Sequence, residues 1–159
     1  MTTDLSVAVS KKVIAALFQL TTESSWKSSP ETEPEYIALD KVSFEEWQPS
    51  RTERCLKMMA DGKEQHPIDV VGFKLNDKHI YDVSDGNHRS RAREIKKYDT
   101  VLANVAGYYS VTTDDKIIYR NQVWQKSGTD MICLSLDYLD DWLLDELRKL
   151  GVQEFLPST

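Results

Sequence analysis

Asp85-Gly86-Asn87-His88-Arg89 falls between an alternating apolar run at 79–83 and a basic stretch, 88–97, that holds five Lys or Arg against one Glu. The spacing predicts a strand that breaks at Asp85-Gly86 and a helix that restarts over 89–97 with Ala92 and Ile95 facing inward. A helix starting abruptly after a strand leaves its first backbone amides unpaired, and its dipole favours negative charge at that spot. Gly86 allows the tight backbone and lets an anion come close. Asp85 or Asn87 can cap one amide. Arg89 adds a planar fork suited to two phosphate oxygens. His88 and Asp85 are the groups near enough to move a proton or to hold a divalent metal. The same five residues also read as a plain strand-to-helix turn followed by arginines that solvate a helix face.

Working outward, 67–73 is an apolar strand, 76–78 a turn and 79–83 the returning strand, so the corner closes a hairpin. Another strand follows at 101–108, giving the order hairpin, helix, strand. Upstream, 36–39 is a short strand and 42–47 a turn or short helix. Ser50 and Glu53 have the spacing of a capping box, predicting a helix that runs through Cys55, Leu56, Met58 and Met59 until Gly62 stops it. Val9, Val13, Ala16, Leu17 and Leu20 recur at helical steps within 6–20, an amphipathic helix.

The segment 21–34 is rich in Ser, Thr, Glu and Pro without a period and reads as a mobile connection, in which Trp26 is a docking anchor or a packing residue. Beyond 108 come a weak strand at 116–120 and, from Leu136, a helix. That helix carries Leu139, Leu143, Leu144 and Leu147 on one face, Asp140, Asp141, Asp145 and Glu146 on the other, and ends at Gly151. The expected division is therefore an N-terminal helix with its connection (1–34), a core (35–110), and a C-terminal strand and acidic helix packing on the core (111–159).

The 159 residues, 40% apolar, suit one soluble domain. No run is long enough for a membrane span, and 1–4 lack the order of a secretory signal, so the expectation is a cytoplasmic protein without a membrane partner. Cys55 and Cys133 lie far apart with no partner at metal-ligand spacing and are read as buried thiols. A net charge of −6 argues against a general grip on nucleic acid but leaves room for a local anion site at 88–97.

The segment resembles a known family. Gly86-Asn87-His88-Arg89-Ser90-Arg91-Ala92 is similar to the Gly-x-x-Arg-x-Arg-Ala signature of ParB-type domains, and Asp85-Gly86-Asn87-His88-Arg89 to the Asp-Gly-x-His-Arg variant of ParB-like nucleases. Pro67-Ile68-Asp69-Val70-Val71 resembles the upstream Gln-Pro-Ile-x-Val strand, and the likeness continues into 101–105. It covers roughly 36–108. The resemblance implies an α+β fold of the ParB/sulfiredoxin-like kind, a small mixed sheet flanked by helices, here with an extra N-terminal helix and an acidic C-terminal one. It implies that Gly86, Asn87, His88, Arg89 and Arg91 hold the phosphate of a nucleotide such as ATP, ADP or CTP, or of nucleic acid. Asp85, His88 and Arg89 are then the catalytic candidates, with Asp85 the candidate ligand for Mg²⁺ or Mn²⁺. Two departures narrow the reading. Asn87 stands where sulfiredoxins carry their reactive cysteine, so sulfinic acid reduction is not expected. The roughly fifty residues after Tyr108 show no recognition helix of the kind that chromosome-partition proteins add.

The leading expectation is a ParB-like nuclease or NTPase that hydrolyses a phosphoester or phosphoanhydride. The alternatives are a non-catalytic nucleotide-binding module that engages another protein, and an acidic nucleic-acid mimic or inhibitor of the sort plasmids and phages encode. His66 is either a pocket or a surface residue, and His79 a structural one. Trp124, Trp142, Tyr108 and Tyr109 are either core residues or platforms for a base.

Overall fold

A computed structural model describes residues 9–29, 33–63, 66–125, 133–136 and 140–155. The first sheet is built around the hairpin of β4 (Ile68–Leu75) and β5 (Lys78–Asp85), turned by Asn76 in the left-handed conformation. Strand β6 (Thr100–Ser110) pairs parallel with β4. Such a parallel pairing needs a crossover, and α3 (Asn87–Ile95) supplies it. On the far side of β6 two short strands, β1 (Lys27–Ser28) and β2 (Glu35–Ala38), pair antiparallel with it, while β3 (Val42–Ser43) pairs parallel with β5.

Strand alternation divides the core between the two faces of this sheet. Ile68, Val70, Tyr81, Val83, Val101 and Ala103 form one cluster with Ile37, Leu39 and Val42. Phe73, Leu75 and Ile80 point to the other face, against Val13, Ala16 and Leu17 of α1 (Lys11–Gln19). Phe73 is fully buried, which contributes on the order of 1.5–3 kcal/mol. Ser10 caps α1 by accepting from the Val13 amide at 3.3 Å.

The second cluster also takes in a four-stranded sheet: β10 (Gln153–Phe155) parallel to β7 (Lys116–Tyr119), followed by β8 (Gln122–Gln125) and β9 (Cys133–Ser135). Leu143 and Leu147 of α4 (Asp141–Lys149) pack into it. The α+β class is as expected. The second sheet is not: only β7 was expected, and β9 and β10, of three residues each, are too short to show a period.

Other expectations change in detail. The capping box does not form. Helix α2 (Pro49–Ala60) begins with Gln48 as its cap and Pro49 in the first turn, where a fixed φ and a missing N–H suit proline. Segment 42–47 opens as strand β3 rather than as a helix. The supposed connection at 21–34 contains a short 3-10 turn and β1, and Trp26 packs on the Tyr109 ring at 4.7 Å between centroids. Gly107 makes room for it, since a Cβ there would come within 2.6 Å of the indole. Glu146, expected on the solvent face, is only 2% exposed and binds Lys149 at 2.8 Å and the Asn76 amide at 3.1 Å. Tyr109 and Trp142 pack against the core and Tyr108 against the opposite cluster. The Trp124 indole nitrogen is buried. Leu139 and the side chain of Cys133 lie outside the described residues.

Candidate functional site

Strand β5 ends at Asp85, and Gly86 turns the chain with φ +113° and ψ 23° to become the cap of α3. Neither Asp85 nor Asn87 caps the helix: the N-cap is Gly86, which has no side chain to offer, while Asp85 Oδ2 meets Arg89 and Asn87 Oδ1 meets the Glu45 amide. The two residues after Gly86 instead reach sideways. Asn87 Oδ1 accepts from the Glu45 amide at 3.0 Å, and His88 Nε2 accepts from the Gln48 amide at 3.1 Å. His88 is 7% exposed, and the Trp47 ring meets it edge-on at 5.0 Å. An imidazole nitrogen that accepts an amide proton is not itself a donor, so Nε2 is committed to the loop while the bond holds. Asn87 and His88 thus clamp the 45–48 loop, and that loop delivers the first turns of α2 to the corner.

What α2 brings is positive charge. Arg51 and Arg54, three residues apart on one helix face, line a cavity of about 370 Å³ together with Trp47, Ser84, Asp85 and the start of α3. The Arg51 guanidinium lies 4.9 Å from the centre of the Trp47 ring. Neither Arg51 nor Arg54 takes part in an ion pair among the described residues. Among the described residues, Asp85 is the one carboxylate of this lining.

Arg89 reaches the cavity but is held. Its Nη1 donates to the carbonyls of His66 and Pro67, both at 2.9 Å, and its Nη2 meets Asp85 Oδ2 at 3.3 Å. Three of the five guanidinium N–H donors are thereby engaged, two of them in fixing α3 to the chain that enters β4. The fork expected to lie open for phosphate is largely structural. Arg91 departs further: it pairs with Glu94 on α3 and lies outside the lining. Asp85 keeps an exposed side chain, and among the described residues no group of three or more His, Cys, Asp or Glu could hold a metal ion.

Cys55 is half-buried and lines this cavity rather than the core. Burial pushes its thiol pKa up, and the nearby Arg89 and Arg54 charges oppose the shift. His79 is exposed on β5 beside Tyr108, at 5.0 Å between ring centres. The sequence reading missed Trp47, Arg51 and Arg54. The spacing of the two arginines on a helix was visible, but nothing local says that this helix lands on the corner.

No family model matches the chain, and no curated protein matches it. Solved structures with some similarity include a free serine kinase mutant in complex with ADP, at 16% identity, TM-score 0.40, over 49% of this chain and 33% of that one. A conserved hypothetical protein from Pyrococcus furiosus matches at 18% identity and TM-score 0.41, over 50% of this chain and 34% of that one. A sulfiredoxin from Arabidopsis thaliana matches at 17% identity and TM-score 0.38, over 47% of this chain and 86% of that one. The chain thus spans about a third of the length of the first two. At such scores the likeness carries no functional argument, and the site is read from its own geometry.

Proposed function

We propose that the cavity at the start of α3 binds the phosphate of a nucleotide of the ATP, ADP or CTP class, or of nucleic acid, and that the protein hydrolyses a phosphoester or phosphoanhydride bond there. One observation carries the reading: an uncapped helix start and two arginines without ion-pair partners among the described residues face the same cavity, with one carboxylate at its edge. Charge-assisted hydrogen bonds from Arg51 and Arg54 supply affinity, and the α3 amides stabilise charge that builds on the phosphoryl oxygens. In the hydrolytic step a water oxygen attacks phosphorus, the bond to the leaving oxygen breaks, and the water proton passes to Asp85 or to the leaving group. Asp85 is also the residue to hold a Mg²⁺ or Mn²⁺ ion beside the phosphate. Arg89 keeps two donors for the transferred group. His88 Nε2 takes a proton only when its bond to the Gln48 amide opens; otherwise it positions the loop.

That bond favours a second reading, a nucleotide-binding module without catalysis. Calorimetry with ATP, ADP and CTP and a phosphate-release assay with Mg²⁺ or Mn²⁺ separate the two. Binding that Arg54→Ala weakens tenfold or more supports the shared site, and turnover lost in Asp85→Asn supports the enzyme. Binding without turnover of nucleotides, DNA or RNA leaves the module. If no nucleotide or nucleic acid binds, both readings are wrong.

A further inference from the structure

Arg89 has a cavity on each side. Across it from the cavity just described lies a second, of about 280 Å³, with an apolar floor that includes Met59 and Ile68. Its rim carries Tyr36, Lys63, Arg93 and Tyr98. Tyr36 is 66% exposed and Tyr98 50%, much more than large rings that serve a core. The Tyr98 ring is braced rather than loose. The Arg93 guanidinium lies 4.3 Å from its centre, and Arg93 Nε is fixed by the Thr100 carbonyl at 2.7 Å. Among the described residues, neither Lys63 nor Arg93 joins an ion pair and no carboxylate lines this cavity. In a chain of net charge −6 this is a local reversal of sign.

We propose that the two cavities are adjoining subsites for one single-stranded oligonucleotide, an inference that rests on the phosphate-binding reading of the first. One phosphate sits at the start of α3, a neighbouring base lies against Tyr36 and Tyr98, and the next phosphate faces Lys63. A mononucleotide filling the first cavity leaves these exposed rings and cations without a ligand. A duplex keeps its base faces stacked inside and offers nothing to the tyrosines. A single strand presents both a π-face and a repeating charge, and flat rings interleaved with cations are the surface that binds it.

The test compares the full chain's affinity for a thymidine mononucleotide, dinucleotide and octanucleotide at fixed low salt, each with a 5′-phosphate. The expected result is a gain of about tenfold or more from mono- to dinucleotide, in line with stacking of one base and contact with one phosphate. Tyr36→Ala removes most of that gain and Tyr36→Phe keeps it. Lys63→Ala lowers the salt dependence of octanucleotide binding by about 0.7 in the log–log slope. Equal affinity for mono- and dinucleotide, a gain that survives Tyr36→Ala, or a duplex that binds as tightly as the single strand overturns the proposal and leaves the first cavity's reading standing. Absence of binding by every one of these ligands overturns the proposal, and the first cavity's reading falls with it only if ATP, ADP and CTP also fail to bind.

Discussion

Gly86 and Ile68 meet where no further atom fits: a Cβ on Gly86 would stand 2.4 Å from Ile68 Cγ2 and 3.1 Å from its backbone Cα. Ile68 is fully buried and cannot yield. Gly86→Ala therefore incurs both a left-handed backbone cost and an overpacking cost, together about 2–4 kcal/mol. Chemical denaturation is expected to show a loss in that range. A loss below 0.5 kcal/mol, on the scale of an ordinary surface change, would mean that the corner relaxes easily.

The arginines of the site separate into two kinds. Arg89→Ala removes two hydrogen bonds to the His66 and Pro67 carbonyls, and is expected to lower stability by about 1–3 kcal/mol. Arg54→Ala breaks no ion pair among the described residues and is expected to change stability by less than about 0.5 kcal/mol, while the thermal shift produced by a given concentration of nucleotide shrinks in step with the weaker binding. Melting curves with and without ligand check both.

His88 holds the loop through the Gln48 amide. His88→Ala leaves that donor without its acceptor beside a new cavity, and a loss of about 2–3 kcal/mol is expected. Hydrogen exchange of the Gln48 amide provides the local readout: faster exchange in the variant, ahead of global unfolding. Unchanged exchange would remove His88 from the positioning role.

Glu146 joins α4 to the turn of the first hairpin. Hydrogen bonds from Lys149 and Asn76 hold its carboxyl below the usual glutamate range, with burial opposing them. A carboxylate whose folded pKa is depressed contributes stability that is fully present above its unfolded pKa, about 4.3, and lost as pH falls through the folded value. Glu146→Gln is therefore expected to be less stable than the parent at pH 7 by about 1–2 kcal/mol. The difference narrows below pH ~4, as the parent glutamate takes up its proton. Denaturation at a series of pH values measures this, and a pH-independent difference would contradict it.

Much of the first sheet was legible because its elements are long enough to show a period. The apolar run of 67–73, the alternation of 79–83, the break at Asp85-Gly86 and the charge of 88–97 locate β4, β5 and α3 without any tertiary knowledge, with strand ends that the structure extends to 75 and 85. The C-terminal sheet was largely hidden. β10 joins the parallel edge of β7 through a register that pairs Gln153 with Ile117, and no local pattern encodes a contact of that sequence separation.

By itself, the chain determined that a strand must stop at Asp85 and a basic helix begin beyond a residue able to adopt positive φ, since both follow from nearest-neighbour sterics and periodicity. Only the tertiary structure decided what faces that helix start. It placed Arg51 and Arg54 there through the bonds of Asn87 and His88 to the 45–48 loop, and it turned Arg89 toward two carbonyls more than twenty residues upstream. The reason is physical. Local conformation depends on neighbours along the chain, whereas a guanidinium goes to whichever acceptors packing brings within reach.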